Sequence, residues 1–281
     1  MKQKGFLPHR ESLLEIHLAT VLFGLAGLFG KWLDLNPLLI VLGRVFFASL
    51  ALGAAVWWKR TKLLDIFRAQ AGLLILLGAV LALHWGAFFQ AIQVSSVAVG
   101  LLSYSSFPVF TVLLEPLFFQ EKIDLRSLFA AGVCLAGVYL IVPRYDPGDA
   151  VFRGVLWGLL SGLMFAVLTL FNRRLVREYS SLAIAFFQDF FAVLWLLPVL
   201  LVLAPRGLAV GELGLLAVLG VVCTAGSHTL FIRGMRRVRA RTASIISSLE
   251  PVYGIALAFV FLGEIPSDRT LAGGAVILAA V

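Results

Sequence analysis

Charged side chains are scarce in this sequence. Asp, Glu, Lys and Arg make up 14% of 281 residues, against about a quarter in soluble domains. Apolar residues take their place, at 61% without counting 26 glycines, and the mean hydropathy is +1.00. No soluble domain of this length hides so large an apolar share. Cysteine is nearly absent: Cys134 and Cys223 both sit in apolar runs, which excludes a disulfide-stapled secreted fold. The four histidines are scattered and no H-E-x-x-H occurs, so no metal site is expected. No phosphate-cradling G-x-x-x-x-G-K-[ST] loop is present either. No cofactor is called for. The composition is that of an all-α integral membrane protein.

A bilayer core takes about 20 apolar residues per helix. Ten stretches qualify as spans: 16–30, 38–58, 71–92, 97–119, 125–142, 154–171, 181–203, 213–235, 242–262 and 270–281. No Lys, Arg, Asp or Glu occurs from Ala69 to Leu114; that is too long for one span, and Gln93-Val94-Ser95-Ser96 supplies the turn within it. The last stretch has only twelve residues, so the chain as given is expected to stop inside its final helix. Lys2, Lys4 and Arg10 ahead of the first apolar run suggest a secretory signal, but Glu11 and Glu15 adjoin the run and no small-x-small cleavage site stands out. The run is therefore read as the first helix.

With ten spans, 17 of the 23 Lys and Arg fall on one side of the membrane and five on the other, leaving Arg44 alone within a span. This asymmetry supports the count and puts the N-terminus in the cytoplasm. It also accounts for the net charge of +8 without a nucleic-acid partner. The cluster Arg236-Arg237-Val238-Arg239-Ala240-Arg241 reads either as a topology signal or as a contact for anionic lipid head groups.

Shifted by 143 residues, the chain matches itself. Between Ser105 and Val138, 11 of 34 positions recur, including Pro108 as Pro251, Glu121 as Glu264 and Arg126 as Arg269. The unit holds five spans, an odd number, so the second unit enters the membrane from the opposite face. The expected fold is therefore two inverted five-helix repeats around a central cavity. Residues 1–15 form a cytoplasmic segment, 16–142 the first repeat, 143–153 a linker and 154–281 the second repeat. Inverted repeats suit alternating access, with the solute site near the midplane between them.

Several motifs carry a family resemblance. Ala91-Ile92-(x)-Val94-Ser95-Ser96-Val97-Ala98 is followed by Pro108-Val109-Phe110, then Glu115-Pro116 and Glu121; the second copy reads Pro251-Val252-Tyr253 and Leu262-Gly263-Glu264. The pattern resembles the EamA repeat of the drug/metabolite transporter superfamily over nearly the whole chain. The first copy departs from it by having Gln120 in the place of Gly263. The resemblance implies a ten-helix carrier, many such proteins exporting amino acids and related metabolites from bacteria.

Ionisable groups at membrane depth usually face a cavity or one another. Those within the spans are Arg44, His84, Glu115, Asp189, His228, Arg233 and Glu250. Arg233 sits where a snorkelling residue would. Glu115 reads equally as a helix-end carboxylate beside an arginine or as a functional group. His84, with Trp85, Phe88 and Gln90 close after it, suits a substrate carboxylate or a proton; its alternative is a histidine bonded to a neighbouring helix. Glu250 precedes Pro251, which removes a backbone hydrogen bond and kinks the span. Ser244, Ser247 and Ser248 share its span, as polar face or as small packing residues. The repeat pairs Tyr104 with Ser247, Phe107 with Glu250 and Trp85 with His228, beside Ser227. Trp157 either joins this group or belongs to an interfacial belt. The expected site is thus His84, Trp85, Phe88, Tyr104, Trp157, Ser227, His228, Ser247 and Glu250, with proton coupling at His84 or Glu250. Such an aromatic, sparsely charged pocket fits a small amphipathic solute, with Asp189 available to neutralise Arg44. The expectation is a secondary carrier; a membrane-embedded lipid enzyme and a channel are the alternatives. Its partners are a small-molecule substrate and membrane lipids, and neither a monomer nor a homodimer is favoured.

Overall fold

A computed structural model describes residues 9–119, 125–142, 144, 146–203 and 207–280. Lys2, Lys4, Gln120, Glu121, Lys122, Arg206 and Val281, used in the reading above, lie outside the described residues. Among the described residues every regular element is helical. In chain order they are α1 (His9–Trp32), α2 (Pro37–Trp58), α3 (Leu64–Val94), α4 (Val97–Tyr104), α5 (Phe107–Phe119), α6 (Leu125–Ile141), α7 (Ala150–Leu175), α8 (Ser181–Leu203), α9 (Val210–Gly220), a π-helical turn (Val221–Gly226), α10 (Ser227–Gly234), α11 (Ala240–Ser247), α12 (Glu250–Leu262) and α13 (Asp268–Ala279). Eight helical stretches are long and apolar enough to cross a membrane, and Phe129–Ile141 is a shorter apolar helix. The chain is a multi-pass membrane protein.

The sequence explains where the helices begin. Asn36 accepts a hydrogen bond from the Leu38 amide ahead of Pro37, Ser96 from Val99, Asp149 from Phe152, and Ser267 from Thr270. Each satisfies an amide that the helix itself leaves free. α12 ends on Gly263 at φ 65°, the left-handed conformation that glycine adopts without penalty. α1 starts at His9, before the expected residue 16, and non-helical backbone at Gln70 separates the first turns of α3 from its apolar body.

Two expected spans, 97–119 and 242–262, are each broken in the middle. α4 ends at Tyr104 and α5 begins at Phe107; α11 ends at Ser247 and α12 begins at Glu250. Pro108 and Pro251 occupy the first turn of the second half, where a missing N–H costs nothing. The backbone bonds through the breaks correspond at the 143-residue shift. Ser105 bonds Leu101, Ser106 bonds Ser103 and Val109 bonds Ser106; Ser248 bonds Ser244, Leu249 bonds Ile246 and Val252 bonds Leu249. The repeat thus extends from residue identities to backbone conformation.

The two broken spans lie side by side and antiparallel. Glu264, just beyond α12, accepts hydrogen bonds from the Val97 and Ala98 amides that open α4, at 3.2 and 3.1 Å. At the other end Ser244 on α11 donates to Thr111 on α5 at 3.2 Å. α6 and α13 pair in the same sense, Arg269 at the start of α13 reaching the carbonyls of Leu140 and Val142 at the end of α6.

Glycine lets these helices approach closely. A Cβ on Gly137 of α6 would come within 2.8 Å of the Gly273 carbonyl and 2.9 Å of the Ile277 amide on α13, whereas one on Gly132 would meet nothing within 4 Å. Outward faces are apolar: Trp57 and Trp58 are 80% and 81% exposed at the end of α2, a position typical of the membrane interface. We expect Gly137→Ala to cost about 1–3 kcal/mol by overpacking and to lower the melting temperature of the purified protein. Gly132→Ala, five residues away on the same helix, should leave it within a degree or two; equal effects would contradict the close approach of α6 to α13.

Candidate functional site

The breaks in the two antiparallel spans put Tyr104, the last residue of α4, and Glu250, the first of α12, on one cavity. Seven helices contribute to its lining. Phe23 and Ala26 come from α1, Arg44 from α2, Leu81, His84, Trp85 and Phe88 from α3, Tyr104 from α4, Phe165 and Leu168 from α7, His228 from α10 and Glu250 from α12. The cavity is closed down: only about 20 Å³ is open to the centre of a water molecule, space for one or two waters.

Its walls are aromatic. Phe165 is the hub, with ring centroids of His84, Tyr104, Phe107 and Phe231 at 5.1, 5.5, 5.0 and 5.4 Å and Phe23 at 6.2 Å. Edge-to-face and offset pairs of this kind fix ring positions. Trp85 and His228, matched by the repeat, touch edge to face at 5.9 Å.

Polar groups sit on this frame in defined roles. The His84 Nδ1 lies 2.9 Å from the Ser161 hydroxyl and 3.0 Å from the Ser161 carbonyl. Ser161 therefore serves a protonated nitrogen through its carbonyl and an unprotonated one through its hydroxyl, so it accommodates either tautomer. Tyr104 and Glu250 line the same cavity, and Glu250 Oε2 has no hydrogen-bond partner among the described residues. Arg44, 1% exposed, donates from Nε to Thr224 Oγ1 at 2.9 Å and from Nη2 to the Cys223 carbonyl at 3.4 Å. Its guanidinium lies 3.8 Å from the Trp85 ring centroid, a cation–π contact.

The π-helical turn is what supplies those acceptors. Thr224 returns its own hydroxyl hydrogen to Leu219, five residues back, at 2.7 Å, and wide turns of this sort often mark functional positions. Asp189 is not paired with Arg44 as expected. Its nearest ionisable neighbour among the described ion-pair contacts is His228, Nδ1 to Oδ2 3.7 Å, and neither carboxyl oxygen has a hydrogen-bond partner among the described residues.

Of the nine expected site residues, His84, Trp85, Phe88, Tyr104, His228 and Glu250 line the cavity. Ser227 does not; its hydroxyl returns to Cys223 and Thr224 on its own helix. Ser247 faces Thr20 of α1 at 3.5 Å. Trp157 stands on the outer surface, 39% exposed, consistent with an interfacial aromatic. Sequence reasoning missed Phe23, Phe165 and Ser161, for which periodicity gives no signal. The small polar run Cys223-Thr224-Ala225-Gly226-Ser227 was the available hint of the π turn.

A second polar cluster closes one end of the bundle. Glu115 on α5 accepts from Arg173 on α7 at 2.8 Å and lies 3.7 Å from Arg241 on α11. Arg173 also sits 4.3 Å over the Phe119 ring. Arg233 on α10 is not a lone snorkelling residue: it pairs with Glu15 on α1 at 2.7 Å. Arg236, part of the basic cluster, ties down the α7–α8 turn through the Val176 and Tyr179 carbonyls.

Broken antiparallel spans meeting at an aromatic cavity with a few buried polar groups are an arrangement that suits a membrane carrier. The chain belongs to the EamA-like transporter family, whose model matches it twice, over residues 12–142 and 152–281. It is 29% identical over 266 residues to an uncharacterized transporter of Archaeoglobus fulgidus, covering 95% of this chain and 93% of that one. It is 25% identical over 203 residues to a probable terminal-alkyne amino-acid exporter of Streptantibioticus cattleyicolor, covering 71% and 66%. A crystal structure of a protein 19% identical superposes with a TM-score of 0.72, covering 96% of this chain and 95% of that one, which shows that the fold is shared. The chain is a transporter, and the enzyme reading is set aside.

Loss of the closer of Glu115's two arginine contacts, with Arg241 remaining at 3.7 Å, is destabilising in a buried pair. Arg173→Met is expected to cost about 3 kcal/mol and lower the melting temperature, and the double variant Glu115→Gln/Arg173→Met should recover most of that loss. A double variant as unstable as the single would show that the pair is not the source.

Proposed function

We propose that this chain is a secondary carrier working by alternating access and exporting small amphipathic metabolites such as amino acids. Its ten spans form two inverted repeats, 16–142 and 154–281, joined by the linker 143–153, with the segment 1–15 in the cytoplasm of a bacterial inner membrane. The solute binds among His84, Trp85, Phe88, Tyr104, His228 and Glu250, and protons enter the cycle at His84 or Glu250. Ser227, Ser247 and Trp157 act around that site and not in it.

The single observation that carries this reading is the cavity at the two breaks, with polar ties between helices toward either end of the bundle. The antiparallel contacts of the matched spans support the inversion. So does the grouping of helix ends. The start of α1 lies against the end of α10 through Glu15 and Arg233, while the start of α7 lies against the end of α3, where a Cβ on Gly154 would overlap Ser95. Ties at one end are Glu115–Arg173 and Glu15–Arg233. At the other, Glu264 holds the α4 amides, Lys31 donates to the Ser95 carbonyl at 3.1 Å and Gln93 to the Leu35 carbonyl at 2.8 Å. Access to either side then requires one set to open while the other holds. Export of amino-acid-like solutes is supported by the exporter among the relatives and by an aromatic cavity with few charges. ATP has no binding loop to use, so the drive is ionic or the solute gradient itself.

The test is counterflow of a labelled amino-acid mixture into proteoliposomes holding purified protein. Saturable, trans-stimulated uptake is expected, and unsaturable flux would indicate a pore. Glu250→Gln and His84→Ala should each cut the rate at least tenfold with the melting temperature preserved. Full activity in both variants would remove them from the site.

A further inference from the structure

A buried guanidinium and a buried carboxyl line one cavity without pairing. Arg44 and Glu250 are 1% and 3% exposed, yet among the described residues they form no ion pair within 4 Å. In an apolar interior the attraction between two such groups is strong when both are ionised. Here each is placed by other contacts. Arg44 is fixed by Thr224, the Cys223 carbonyl and the face of Trp85. Glu250 is placed as the first residue of α12, at the break. Two of the five guanidinium N–H groups are used by Thr224 and Cys223, and Glu250 Oε2 is unused. Asp189, the other carboxylate near Arg44, is turned toward His228 and makes no direct pair with the guanidinium.

Resting on the carrier reading above, we infer that Arg44 and Glu250 form a two-point clamp requiring both a free carboxylate and a cationic nitrogen on the solute. Arg44 takes the carboxylate with its planar fork. Glu250 takes the nitrogen through Oε2. The apolar remainder lies against Phe88, Phe165 and Leu81. A solute with one charge leaves the other group buried and unpaired, which is the penalty that gives polar sites their selectivity. Thr224 is a positioning residue: it aims Arg44 and touches no solute.

The experiment measures dissociation constants on the purified full-length protein, from the rise in melting temperature on titration with three probes. Leucine carries both charges, leucinamide only the ammonium, and 4-methylpentanoate only the carboxylate. Wild type should bind leucine at least tenfold tighter than either analogue. In Arg44→Gln, leucine should weaken to the level of leucinamide while leucinamide itself is unchanged. In Glu250→Gln, leucine should fall to the level of 4-methylpentanoate. Should Arg44→Gln not fold, Arg44→Lys retains the charge without the fork, and it should weaken leucine and 4-methylpentanoate but not leucinamide. Equal wild-type affinity for leucine and either analogue overturns the clamp, as does an Arg44 variant that weakens all three probes alike or a wild type that binds none. The carrier reading is judged separately, by counterflow of the labelled mixture.

Discussion

A helix that breaks within hydrocarbon exposes backbone groups that no water can satisfy. This protein breaks two, at equivalent places, and the rest of the structure depends on how it contains the cost. Tight turns carry the backbone through each break, and prolines sit where their missing amides do no harm. The serine hydroxyls bond backward into the preceding turn, Ser106 to the Ser103 carbonyl and Ser248 to that of Ser244. The result is a pair of short half-helices whose ends hold Tyr104 and Glu250 in position. A continuous helix would carry both side chains on longer, straighter rods, with no concave ground between them.

The same geometry explains why so many ionisable groups sit inside the bundle. Arg44, His84, Asp189, His228 and Glu250 are all at most 4% exposed. Evolution for stability alone would favour apolar replacements of similar volume. Under the carrier reading proposed above, under-paired groups at the cavity are available to a solute. The polar ties at the two ends join helices that, on the same reading, separate in turn.

Much of this was legible in the sequence, and the limits have physical causes. Spans follow from the length of uncharged runs, so α2, α8 and α13 begin within two residues of their expected starts. A kink at Pro251 was legible in Glu250-Pro251, whereas the full interruption there and its counterpart before Pro108 are seen only in the fold. Six of nine expected site residues line the cavity because an ionisable or aromatic group at membrane depth has few places to go. Ser227 and Ser247 were misleading, since small hydroxyls satisfy themselves on their own helix and need no cavity. Asp189 was only available to neutralise Arg44, because charge complementarity is visible in a sequence and direction is not. The fold shows the π turn holding Arg44 against Trp85.

The central claim is that the two halves cross the membrane in opposite senses. Single cysteines at Arg10, opening α1, and at Ala150, opening α7, test it most directly, in a background with Cys134 and Cys223 replaced. A membrane-impermeant maleimide applied to right-side-out and to inverted vesicles should label the two positions from opposite sides. Labelling of both from the same side would contradict the account.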